Sequence, residues 1–114
     1  LIDDEEDIHK FFVSIFKNID GFELKSFYSG TDALMFIGKR APEVIVVDIL
    51  MPDVDGLEVI KNIRANEQYK GMKILAISAD IDKKDPSLKA GATAFLKKPF
   101  NIEEFREAIS KLED

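Results

Sequence analysis

The chain contains no cysteine, which excludes a disulfide framework and a thiolate metal site and makes a reducing cytosol the easier setting for it. No apolar run approaches the roughly 20 residues that a membrane-spanning helix needs, and no basic-then-apolar segment opens the chain. No Gly-x-x-x-x-Gly-Lys-Ser/Thr occurs either, so there is no P-loop for ATP, and any phosphate must come from another protein or a small donor. Basic side chains are in the minority, 16 against 22 acidic ones, for a net charge of −6. Such a surface repels phosphate backbones and anionic headgroups, so neither nucleic acid nor membrane is an expected direct partner. A soluble, cytoplasmic protein is expected. Its 114 residues, 46% hydrophobic and 33% charged, suit a single domain over 1–114 and leave no room for a second.

The pattern of what is present predicts the architecture. Leu1 and Ile2 resemble the end of a buried strand whose beginning is absent. Ile8, Phe11, Phe12, Ile15, Phe16 and Ile19 then recur at helical spacing until Asp20-Gly21, and Phe22 to Phe27 alternates like a half-buried edge strand. Thr31 is placed to cap a short helix burying Ala33, Leu34, Phe36 and Ile37, which Pro42 stops. Val44 to Val47, four β-branched residues in a row, predicts a strand covered on both faces, and Ile74 to Ile77 repeats the signal. Between them, the turn formers of Met51 to Gly56 precede a helix carrying Leu57, Ile60 and Ile63. Residues 79–91 are the least regular, with Asp85 as a cap and Pro86 opening a helix of a turn or two. Ala94 to Leu96 reads as a short strand, and Asn101 caps a last helix presenting Ile102, Phe105, Ile109 and Leu112 on one face. The nine phenylalanines follow these periods and are expected in the core. Strands alternating with helices predict an α/β protein: a five-stranded parallel sheet with helices on both faces, its ligands bound beyond the carboxyl ends of the strands.

At those ends fall Asp3, Asp4 and Glu5, then Asp48, Ser78, and Lys98-Pro99. Singly, each has a plain reading as helix cap, turn former or extended dipeptide. Together they place several carboxylates in one crevice, where mutual repulsion calls for a hard divalent cation such as Mg²⁺. Asp48 can serve both as ligand and as nucleophile toward phosphorus, since its second oxygen stays free. The Lys98 ammonium, the Ser78 hydroxyl and the Ala79 amide supply what else a transferring phosphoryl group needs.

Over its whole length the chain resembles the receiver (CheY-like) domains of two-component response regulators. The resemblance rests on Asp3-Asp4, on Asp48-Ile49-Leu50-Met51-Pro52 with Asp55-Gly56, on Ser78, and on Lys98-Pro99-Phe100. It implies a doubly wound, flavodoxin-like fold with strand order 2-1-3-4-5. It also implies Asp48 as phosphoacceptor, with Ser78, Ala79 and Lys98 binding the phosphoryl group. Mg²⁺ (or Mn²⁺) would be held by Asp3, Asp4, Asp48 and the Leu50 carbonyl. Ser78 and Phe95 would form the switch, and Lys98-Pro99 would be a cis bond aiming the lysine inward. The implied donor is a sensor histidine kinase or a histidine phosphotransfer protein. An output domain or downstream protein would meet the fourth helix, fifth strand and fifth helix, and a phosphorylation-dependent homodimer is a further implied partner. Such a domain is regulatory and catalyses only its own phosphorylation and dephosphorylation.

Some features depart from that pattern. The stretch between Ser78 and Lys98 is a couple of residues short by family standards, and Pro86 shortens the fourth helix, so residues 80 to 86 are expected to be the most mobile internal segment. Leu50 and Asp80 stand where the family tunes dephosphorylation; an apolar Leu50 cannot orient water, so modest self-dephosphorylation is expected. His9 lies one step off the apolar face of its helix and reads as a solvated imidazole. Lys83, Lys84, Lys89, Lys97 and Arg106 make the output face basic and suit an acidic partner. Two rival functions are a pseudo-receiver, a phosphorylation-independent interaction module, and a phosphatase of the haloacid-dehalogenase type. The first normally shows a lost acceptor, lysine or acid pair, and none is lost here. The second places an Asp two residues after its nucleophile, where this chain has Leu50.

Overall fold

A computed structural model describes residues 1–17, 23–52 and 54–112. Three parallel strands, β1 (Val44–Asp48), β2 (Lys73–Ser78) and β3 (Ala94–Lys97), lie side by side in that order. Among the described residues, five α-helices accompany them: α1 (Glu6–Phe16), α2 (Gly30–Lys39), α3 (Gly56–Arg64), α4 (Lys84–Ala90) and α5 (Ile102–Leu112). Because successive side chains of a strand point to opposite faces, the apolar runs divide between two cores. Ile45, Val47, Ile74 and Ala76 join Ala33 and Ile37 of α2 and Val59, Ile60 and Ile63 of α3. Val46, Leu75 and Ile77 join Phe12 of α1 and Phe105, Ala108 and Leu112 of α5. Each fully buried Ile, Leu or Phe contributes about 1.5–3 kcal/mol, so unbroken apolar strands stabilise a sheet only when both faces are covered.

The two N-terminal strands expected from the sequence are not ladders among the described residues. Ile2 makes single parallel bridges to Phe27 and to Val47. Its N–H donates to Val46 O (2.7 Å) and its C=O accepts from Asp48 N (2.8 Å), while Phe27 N donates to Leu1 O (2.8 Å) and Asp3 N to Phe27 O (3.1 Å).

The helix starts also differ from expectation. Ser29, not Thr31, caps α2, accepting from Asp32 N, because the chain is still extended at Ser29 and Gly30 is already helical. Asp80 caps a 3-10 turn over Ile81–Lys83, and α4 begins at Lys84, so Asp85 is not its cap and Pro86 sits within its first turn, where no intrahelical N–H is required. Asn101 and Glu104 exchange side chain-to-backbone bonds (Glu104 N to Asn101 Oδ1, 2.8 Å; Asn101 N to Glu104 Oε1, 3.1 Å), the capping box that starts α5. Ile102 is exposed rather than inward, and Ala108 takes its place in the buried stripe. Ile19, the Asp20-Gly21 stop and Phe22 lie outside the described residues.

Asp55 caps α3 by accepting from Leu57 N, and Gly56 then passes directly beneath the end of β1. A Cβ at Gly56 would stand 2.3 Å from Asp48 O and 2.6 Å from Ile49 Cα, both backbone atoms with no freedom to yield. Gly56→Ala is therefore expected to lower the urea-unfolding free energy by about 1–3 kcal/mol, whereas Gly38→Ala, with open space around it, is expected to be neutral or stabilising.

Candidate functional site

The sheet brings four separated segments to one edge. β1 ends in Asp48, β2 in Ser78, and Lys98 follows β3. Ile2, hydrogen-bonded to Val46 and Asp48, sets Asp3 beside Asp48. Asp3, Asp48, Ser78 and Lys98 are all buried; Asp4 and Ala79 are exposed. The Lys98–Pro99 peptide is cis, and Lys98 N donates to Ser78 O (2.8 Å).

The Lys98 ammonium sits among three carboxylates. It donates to Glu5 Oε1 at 2.7 Å, and lies 2.9 Å from Asp3 Oδ2 and 3.4 Å from Asp48 Oδ2. Asp3 Oδ2 is wholly buried and is paired with the Lys98 ammonium. Asp3 Oδ1 accepts from Glu5 N (2.8 Å) and Asp48 Oδ1 from Leu50 N (3.2 Å), which fixes the orientation of both groups. Carboxylate oxygens of Asp3, Asp4, Glu5 and Asp48 fall within 4.8 Å of one another. One ammonium cannot neutralise them. Burial, reinforced by the Asp3 charge and opposed by Lys98, pushes the Asp48 carboxyl up to about 6. For Lys98, burial alone favours the neutral amine, but Glu5, Asp3 and Asp48 outweigh it and hold the ammonium form well above the ordinary lysine range. Converging hard oxygen donors with an excess of negative charge fit a Mg²⁺ ion.

Ser78 Oγ accepts from Asp80 N (3.1 Å). Phe95 is half-buried and packs against the core on the α2/α3 side of the sheet.

Two neighbours escape a sequence reading. Glu5, read only as part of an acidic triplet, is the shortest contact of Lys98; a pairing across 93 residues leaves no mark in local spacing. His9 is not a solvated imidazole. It is 3% exposed, stacks on Tyr28 (centroids 3.9 Å apart, 22° between planes), and its Nε2–H donates to the Asp3 carbonyl at 2.6 Å. Helical spacing places residue 9 off the apolar stripe. The chain from Ile2 to Asp3 runs beneath that flank of α1, however, and Tyr28, its hydroxyl donating to Glu6 (2.8 Å), closes over it.

Comparison with known proteins places the chain in a family. The family model described as the response regulator receiver domain matches residues 1–110. The chain belongs to that family. It is 34% identical over 101 residues to regulatory protein VanRc of Enterococcus gallinarum, covering 89% of this chain and 43% of that protein. It is 27% identical over 111 residues to sporulation initiation phosphotransferase F of Bacillus subtilis, covering 97% and 89%. Among solved structures, chemotaxis response regulator CheY4 of Vibrio cholerae superposes with a TM-score of 0.86 at 32% identity, over 97% of this chain and 93% of that one. VanRc and other curated relatives are longer, and the chain spans about 40% of their length. Receiver domains of this family are regulatory signalling domains of two-component systems, generally Mg²⁺-dependent, and interact with histidine kinases and output domains.

The raised Asp48 pKa has a testable consequence. Because its folded value, about 6, lies above the unfolded value of 3.8, the folded receiver retains a proton between these pH values that the unfolded chain has released. Its contribution therefore destabilises the fold fully above about pH 6, and stability recovers as the pH falls toward 4. In EDTA at pH 7.5, Asp48→Asn is expected to unfold at higher urea, by roughly 1–3 kcal/mol, an advantage that shrinks by pH 5. A difference constant with pH would refute this.

Proposed function

We propose that Asp48 is the phosphoacceptor of this receiver domain, taking a phosphoryl group from the phosphohistidine of a sensor kinase or phosphotransfer protein. A free Asp48 oxygen attacks phosphorus, the P–N bond to the donor imidazole breaks, and the imidazole leaves with its electron pair and takes up a proton. The product is an acyl phosphate. The reading is carried by one observation, the convergence of Lys98 with Asp3 and Asp48 at the strand ends.

Phosphoryl transfer has a loose transition state, so positioning and charge neutralisation matter most. Asp48 Oδ1 is oriented by Leu50 N, leaving Oδ2 on the Lys98 side for attack. Lys98 then turns from carboxylate to phosphoryl oxygen. The Ser78 hydroxyl, now an acceptor for Asp80 N, and the Ala79 amide bind another oxygen. A Mg²⁺ ion held by Asp3, Asp4, Asp48 and the Leu50 carbonyl would neutralise the remaining charge. As Ser78 moves, Phe95 turns into the vacated space, and having no hydroxyl it needs only an apolar slot. The altered surface of α4, β3 and α5 then carries the signal to an attached domain, a downstream protein or a second copy of the receiver. Its lysines and Arg106 suit an acidic partner, and the setting is the cytoplasm. We read the sheet as the family's five-stranded one, with order 2-1-3-4-5, in which Ile2 and Phe27 mark the first two strands.

Incubation with acetyl phosphate and Mg²⁺ is expected to add one phosphoryl group by intact mass, with none added to Asp48→Asn or in EDTA. A pseudo-receiver would show no such gain in the wild type.

Leu50 is exposed at the mouth of the site and offers nothing to hold a water for hydrolysis. Leu50→Asn is therefore expected to shorten the phosphoryl lifetime several-fold, read by loss of the phosphorylated mass after donor removal.

A further inference from the structure

Glu5 differs from the other partners of Lys98. The Asp3 and Asp48 side chains are 0% and 4% exposed, whereas that of Glu5 is 59% exposed, at the rim beside the start of α1. Glu5 nonetheless holds the ammonium at 2.7 Å, against 3.4 Å to Asp48. The lysine is thus drawn toward the rim by its most loosely held neighbour, while the group it is needed for lies deeper and farther away. An exposed ion pair is weak, because water and salt screen it and a long side chain must be held still to make it.

We propose that Glu5 competes with the phosphoryl group for Lys98 and so sets how tightly this receiver holds it. The proposal deepens the acceptor reading of Asp48 and rests on it. In the resting domain Glu5 occupies the ammonium. For Lys98 to reach a phosphoryl oxygen on Asp48 the 2.7 Å contact must break, and the cost of breaking it weakens phosphoryl binding by the same factor. A neutral residue at position 5 leaves Lys98 free to swing inward and tightens the phosphorylated state.

The first test uses ammonium-selective ¹H–¹⁵N spectra of the protein without ligand. Glu5→Gln and Glu5→Ala are expected to shift the Lys98 signal. Glu6→Gln, which removes an equal charge one residue away from a carboxylate bonded to Tyr28, is expected to leave it in place. A Lys98 signal indifferent to position 5 overturns the proposal. The second measurement is the affinity for beryllofluoride, a phosphoryl mimic, by ¹⁹F NMR at saturating Mg²⁺, so that altered cation affinity does not enter. Both position-5 variants are expected to bind about two- to fivefold more tightly than wild type, the range an exposed pair supports. An equal gain in Glu6→Gln would mean general charge relief and overturn the competition, as would no gain at position 5. Wild type that binds no beryllofluoride, while its Lys98 signal still responds to Glu5→Gln, would instead overturn the acceptor reading and leave Glu5 as an ion-pair partner only.

Discussion

A single ammonium group set against several carboxylates at the end of a parallel sheet governs this site. Asp3 and Asp48 are almost wholly removed from water, where an unpaired carboxylate is costly, and Lys98 touches both. The compensation is incomplete, as the upward displacement of the Asp48 pKa records. Such a deficit is a poor arrangement for stability. It is a good one for holding a cation, because whatever brings positive charge to this edge is favoured there.

Holding like charges together requires a frame that does not relax. The frame here is backbone: Ile2 is tied to Val46 and Asp48, Ile49 N donates to Ile77 O, Lys98 N to Ser78 O, and Gly56 N to Ile49 O. All but the last join two of the segments that carry site residues, the last anchors the Asp48 segment to α3, and none involves a site side chain. The carboxylates therefore stay in place whatever their charge state. Gly56 is part of the same frame, since the close approach of α3 to the Asp48 carbonyl leaves no space for a side chain.

The parts of this design legible in the sequence are those written in local periods. Val44 to Val47 and Ile74 to Ile77 announce strands covered on both faces, and the strand-end positions of Asp48, Ser78 and Lys98 follow from where those runs stop. Helix boundaries are less legible, because Ser29 and Thr31, or Asp80 and Asp85, are chemically similar caps and only the backbone conformation chooses between them. Long-range pairings are not legible at all. Nothing near Glu5 announces Lys98, and nothing near His9 announces Tyr28 or the Asp3 carbonyl. The bridges of Ile2 to Phe27 and Val47 are pairings of the same kind, between segments far apart in the chain.

The same hydrogen bonds connect the site to the face beyond it. Ser78 Oγ is engaged with Asp80 N, and Asp80 Oδ1 with Asp82 N, so the hydroxyl and the 3-10 turn leading into α4 share one short chain of contacts. If Ser78 turns toward a phosphoryl group on Asp48, the Asp80 N–H loses its acceptor and the turn loses the contact that ties its cap to β2. The far end of α4 has no matching freedom. Arg64 Nε donates to Gly91 O (2.8 Å), and Gly91, at φ 121°, occupies a conformation that a side chain would disfavour. The C-terminal end of α4 is thus fastened to α3 through Arg64, while the turn ahead of its N-terminal end is tied to the end of β2 through Ser78 and held to α4 itself by Ser87 Oγ, which donates to Lys83 O (2.6 Å).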